Sequence, residues 1–100
     1  MIKYRERRIR RPGELKRVLE GLDPDEGVRI IGSLSGKDVF IFITRSSNEY
    51  CVNLCDQVYD KDLEAIVPGG REEWLHASTP DEVWDLIASR IKKPLEAWIY

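Results

Sequence analysis

The spacing of apolar residues changes period along this chain, and each change marks an element. In ELKRVLEGL, Leu15, Val18, Leu19 and Leu22 recur at helical spacing, and Pro12 suits a first turn because its missing N–H is no loss there. The pattern predicts a helix over 12–22, stopped by Asp23 to Gly27. From Val28 the period falls to two: VRIIGSL and VFIFITR flank a turn at Gly36-Lys37. YCVNLC follows Ser46 to Glu49, with Asn48 the residue expected in the left-handed conformation, and completes a three-strand meander over 28–55. Asp56 to Val67 reads as a loop and a short strand ended by Pro68-Gly69-Gly70, with a further short strand over Glu72 to Ala77. Thr79-Pro80-Asp81-Glu82 is a capping box. It opens a helix over 80–91 whose stripe is Val83, Trp84, Ile87, Ala88 and Ile91, before Pro94. Leu95 to Tyr100 then reads as a docked strand, and residues 2–10 as a charged edge strand.

This order predicts a single α+β domain over 1–100, a two-layer sandwich with both helices on one face of a mainly antiparallel sheet. With the turn at Gly36-Lys37, one sheet face carries Val28, Ile30, Leu34, Val39, Ile41 and Ile43, wholly aliphatic and in need of the helices. The opposite face carries Arg29, Ile31, Ser33, Phe40, Phe42 and Thr44. Its apolar half needs cover too, from the 56–77 segment or from a second copy of the chain. Arg29, Ile31, Phe40 and Phe42 are therefore candidate dimer-interface residues, and Phe40 and Phe42 are candidates for stacking unpaired bases.

Charge sharpens the picture at the N-terminus. Residues 1–17 hold eight basic and two acidic side chains, a local +6, so the remainder carries −8 within a net charge of −2. Arg5, Arg7, Arg8, Arg11, Lys16 and Arg17 form a candidate phosphate-binding arm, expected to give weak, nonspecific and salt-sensitive nucleic-acid binding. The same asymmetry suits self-association. Asn48, Asn53 and Gln57 are the only amide side chains, a depletion that with the charged surface points to a thermophilic, archaeal source. No apolar run approaches the ~20 residues of a membrane span, and the first residues are cationic rather than apolar. A cytoplasmic protein is expected, with no membrane partner.

Little chemistry stands out. Cys51 and Cys55 would share a strand face about 13 Å apart at ~3.3 Å per residue, too far to bond each other. Across a dimer axis they are candidates for an intersubunit disulfide. Zinc held by Cys51, Cys55 and His76 lacks a fourth ligand and a zinc-knuckle spacing. His76 is the only histidine, and the acids Asp56, Asp60, Asp62 and Glu64 lack the pattern of a calcium loop. No catalytic residue, metal or cofactor is therefore assigned. The order from Glu14 onward (helix, three strands, helix, strand) resembles the core of restriction-endonuclease-like nucleases. That resemblance implies magnesium on Asp38 and Glu49, although the Glu-x-Lys motif is missing. The primary expectation is a non-enzymatic, self-associating binding protein; a magnesium-dependent nuclease is the alternative.

Overall fold

The computed structural model describes residues 7–24, 26–92 and 95–100, with Arg7 described through its backbone alone. The elements in chain order are β1 (Arg7–Ile9), α1 (Pro12–Glu20), β2 (Gly27–Leu34), β3 (Lys37–Arg45), β4 (Tyr50–Asp60), β5 (Ala65–Ala77), α2 (Pro80–Ile87) and β6 (Ala97–Ile99). The strands form one antiparallel six-stranded sheet in the order β1-β6-β2-β3-β4-β5. Leu15 and Leu19 of α1 and Val83 and Ile87 of α2 join Ile9, Val28, Ile30, Val39, Ile41, Ile43, Val52, Leu54 and Ala97 in one core cluster. Both helices thus cover the aliphatic face, giving the expected α+β sandwich. Two hydrogen bonds tie the end of α1 to the sheet: Tyr50 Oη donates to the Leu19 carbonyl at 2.6 Å, and Arg45 Nη1 to the Leu22 carbonyl at 2.8 Å. They satisfy carbonyls that a helix end leaves without intrahelical partners.

Several expectations are corrected. The β2–β3 turn is Ser35-Gly36, with φ of 52° and 81°, so Gly32 pairs Val39 and Ile30 pairs Ile41. A mirror-image turn with positive φ at both central residues matches the twist of the strands, and here it recruits a serine. The register slips by two residues, which leaves every side chain on its expected face. Leu34 alone escapes burial, at the strand end. Asn48 is not among the residues with positive φ.

The larger correction concerns 56–77. Instead of a loop and short strands, β4 continues to Asp60, turns at 61–64 and returns as β5. Pro68-Gly69-Gly70 does not end a strand; it lies in a bulge where the register jumps from Cys55↔Glu72 to Asp56↔Gly69. Gly70 takes φ 68°, and the Asp56 carboxylate accepts from the Arg71 N–H at 3.1 Å. A bulge leaves residues without ladder partners, and here a side chain meets one. Because β5 pairs edge-on, this segment widens the sheet and does not cover its second face.

The second helix is also shorter than expected. Thr79 Oγ1 accepts from the Glu82 N–H at 3.2 Å while Glu82 reaches back to the Ser78 N–H at 2.9 Å. This is the capping box, displaced by one residue on its return bond. After Ile87 the chain tightens into a 3₁₀ turn over Ala88–Arg90, leaving Ala88 exposed, and Ile91 leaves the helix to bridge Gly32. Among the described residues no helix is long and apolar enough to cross a membrane.

Candidate functional site

The helix-free face of the sheet carries one continuous row. Register pairs Arg8 with Trp98, Trp98 with Arg29, Arg29 with Phe42, Phe42 with Asn53 and Asn53 with Trp74, so the row crosses all six strands. Side chains alternate along a strand, and the neighbours of these residues (Ile9, Ala97, Ile30, Ile41, Val52) point into the core on the other side. Trp98 lies between two guanidinium groups, Arg29 at 4.9 Å and Arg8 at 5.7 Å from its ring centre. Such stacking is worth about 0.5–1 kcal/mol where solvent reaches it. Phe42 packs against Phe40 at 5.8 Å and edge-on to Tyr100 at 6.4 Å. Tyr100 reaches this position because residue 27 is glycine: a Cβ there would lie 2.6 Å from the tyrosine ring.

At the β5 end the face stays open. Trp74 is 59% exposed and Tyr100 46%. With Phe42 and Pro68 they line a cleft of about 310 Å³ whose floor includes Asn53. Asn53 is 7% exposed, and its Nδ2 has no hydrogen-bond partner among the described residues. Burial holds the thiol of Cys55 above its ordinary range, with the charges of Glu72 and Asp56 adding to the effect. Burial also raises the Tyr100 hydroxyl, against the opposing charge of Arg29.

Beyond Asp56, where β3 ends its pairing, β4 and β5 continue together. Val58, Tyr59, Leu63 and Ile66 of this ribbon are exposed. A two-stranded hairpin is marginally stable in water on its own.

A second group sits at the rim where β4 begins. Cys51 is the register partner of His76, and Glu49 lies two residues before Cys51, on the same side. His76 Nδ1 is 3.7 Å from Cys51 Sγ and 3.5 Å from Glu49 Oε1. The sequence reasoning paired Cys51 and His76 with Cys55 instead and missed Glu49; the period-two spacing of Glu49 and Cys51 was the signal.

Of the candidate phosphate-binding residues, the side chains of Arg8, Arg11, Lys16 and Arg17 are described. Arg5 and the side chain of Arg7 lie outside the described residues. Arg8 stacks on the open face, whereas Arg11 has left the strand and precedes α1 as its N-cap. Lys16 forms an ion pair with Asp81, which raises its pKa, and Arg17 is exposed on α1. Of the interface candidates, Arg29, Ile31 and Phe42 are half-buried and Phe40 is buried. Cys51 and Cys55 are not bonded to each other; Cys51 is half-buried and Cys55 buried.

Asp38 lies near the start of β3 and Glu49 just before β4, past the far end of β3; from Asp38 to Arg45, the partner of Tyr50, is seven residues, about 23 Å at ~3.3 Å per residue. Lys92 holds Asp38 through both carboxylate oxygens, at 3.1 and 3.3 Å. One metal ion cannot join the two acids in this arrangement. Compared with protein-family models, with curated proteins and with solved structures, the chain matches none.

Proposed function

We propose that this chain is a non-enzymatic binding protein that works as a symmetric homodimer, with the open sheet faces apposed. The observation that carries the reading is the row from Arg8 to Trp74. It is aromatic at Trp98, Phe42 and Trp74, Arg8 and Arg29 make its β1–β2 half basic, and Glu72, two residues before Trp74 on β5, puts an acid beside its other end. In a two-fold interface the same patch meets itself reversed, so the basic end of one copy comes over the acidic end of the other. The exposed ribbon beyond Asp56 adds apolar area at the margin. Cys51 faces the same side and is the more accessible of the two free thiols; an external oxidant would join it to its symmetry mate as an intersubunit disulfide, a state exclusive of any metal bound by the reduced thiolate, while Cys55 is sealed by burial. A cytoplasmic, thermophilic and archaeal setting belongs to the same reading, supported by the scarcity of amides.

Light scattering after size exclusion tests it. A mass twice the 11.6 kDa of one chain is expected at micromolar concentration, falling to one chain in Trp74→Glu and in Arg29→Glu. A mass of one chain for the wild type, or a dimer indifferent to both substitutions, refutes it.

A second reading rests on the exposure of Arg8, Arg10, Arg11 and Arg17. These residues give weak, nonspecific nucleic-acid binding opposed by the acidic remainder. Fluorescence anisotropy with labelled DNA and RNA should show binding at low salt that vanishes at moderate salt. Flat curves at low salt refute it, as does unchanged binding in Arg8→Ala/Arg11→Ala.

A further inference from the structure

We propose that Glu49, Cys51 and His76 form a binding site for one zinc ion, with solvent in the fourth position. Zinc accepts this mixture of carboxylate oxygen, thiolate sulfur and imidazole nitrogen. The three ligand atoms lie within 4.8 Å of one another. Zinc bonds of about 2.3 Å to sulfur and 2.0–2.2 Å to nitrogen and oxygen set tetrahedral edges of about 3.6 Å from S to N and about 3.4 Å from N to O. The observed separations are 3.7 Å from Cys51 Sγ to His76 Nδ1 and 3.5 Å from His76 Nδ1 to Glu49 Oε1. Two edges of the tetrahedron are therefore already in place, and rotation of the exposed Glu49 side chain closes the third.

Hydrogen bonding alone would make His76 Nδ1 serve two neighbours at once. The same ring nitrogen faces both the carboxylate and the sulfur, so an N–H there would be divided between two acceptors in a three-centre bond. A cation at the centre satisfies both contacts at once. The backbone supports this placement: Cys51 and His76 are held opposite each other on paired strands, and the Ser46–Glu49 turn is closed by the Ser46 N–H donating to the Glu49 carbonyl at 2.8 Å. Two of the three ligands thus sit on rigid elements, and the third follows a closed turn. Binding deprotonates the Cys51 thiol and releases its proton to solvent.

The test uses the whole chain, reduced and freed of metal, titrated with cobalt(II) and then with zinc(II). Expected are a thiolate-to-cobalt charge-transfer band, visible bands of tetrahedral cobalt, one ion per chain, and displacement by zinc. Cys51→Ser should abolish the charge-transfer band, and His76→Gln should weaken zinc by at least about tenfold, the lower end of what even outer-shell changes cost. Glu49→Gln should weaken zinc less than His76→Gln, while Cys55→Ser should leave the spectrum unchanged. Circular dichroism of each metal-free variant confirms that loss of binding is not loss of fold, because these side chains lie at a rim. Absence of a charge-transfer band in the wild type overturns the proposal. So does a band that survives Cys51→Ser or disappears in Cys55→Ser.

Discussion

Gly27 and Gly32 occupy the same strand, both are buried, and each would place a new methyl group 2.6 Å from its nearest neighbour. Replacing each by alanine should nevertheless give opposite results, because the neighbours differ. At Gly32 the Cβ meets the Arg90 carbonyl oxygen at 2.6 Å and the buried Ile41 Cδ1 at 2.8 Å. Neither can retreat: Ile41 is fully buried, and the chain after Arg90 is held by the Ile91 bridge and by the Lys92 N–H donating to the Ile31 carbonyl at 3.3 Å. Overpacking costs about 1–3 kcal/mol, and each backbone bond lost costs about 0.5–1.5 kcal/mol. Against a gain of about 0.5–1 kcal/mol from removing a strand glycine, Gly32→Ala should lose about 2–3 kcal/mol net. At ~4–8 °C per kcal/mol for a chain of this size, that lowers Tm by roughly 8–24 °C. At Gly27 the obstacle is the far end of the half-exposed Tyr100 side chain, which can swing aside. Gly27→Ala should stay within about 1 kcal/mol of the wild type, the strand gain offsetting the lost ring contact. Urea unfolding followed by far-UV circular dichroism, at one protein concentration because self-association adds to stability, measures both. If Gly32→Ala is as stable as the wild type, or Gly27→Ala is the more damaged, the close approach of Arg90 to β2 is wrong.

Tyr50→Phe removes the donor to the buried Leu19 carbonyl and should cost about 1–3 kcal/mol in the same assay; no change would mean that water replaces the hydroxyl. Thr79→Ala deletes the α2 cap and should cost about 1 kcal/mol, whereas Thr79→Ser should cost little; equal losses in both would exclude the oxygen as the cause. Cys55 and Tyr100 both titrate above their ordinary ranges in the folded chain. Their contribution is complete below the unfolded values and is lost as pH rises through the folded ones. Stability should therefore decline in alkaline solution, and less so in Cys55→Ala; a pH profile identical to the wild type would remove Cys55 from the cause.

The strands from Val28 to Thr44 were legible because β-branched and aromatic runs are bounded by turn residues, even though Ile31, Phe40 and Phe42 put apolar side chains on both faces. The misplaced turn did no harm, since a slip of two residues preserves each face. Ser35 hid the true turn because serine rarely takes positive φ, and only the adjacent Gly36 signalled it. Pro68-Gly69-Gly70 misled for the opposite reason: residues that usually break strands here build a bulge, stabilised by the distant Asp56 carboxylate. The Glu49–Cys51–His76 group joins residues up to 27 positions apart (76 − 49), through a β4–β5 pairing that local spacing does not reveal. The Cys51/Cys55 spacing points along one strand, whereas the candidate ligands lie across two.

The position of β6 has a consequence for how the chain is made. β6 follows every other described strand in sequence, yet it lies between β1 and β2 and is the only described partner of β1. From Ile9 to Ala97 the ribosome must add 88 residues (97 − 9), roughly 4–18 s at ~5–20 residues per second. During that interval α1, α2 and β2 to β5 can assemble, but β2 keeps an open edge and β1 has nothing to pair with. Arg8, Arg10 and Arg11 flank the waiting Ile9 on the nascent chain, and their charge keeps that strand from adding to another chain's exposed edge. Closure of the sheet thus waits for Ala97 to Ile99, and a ribosome that stalls before Ala97 leaves a particle with its seam unsealed.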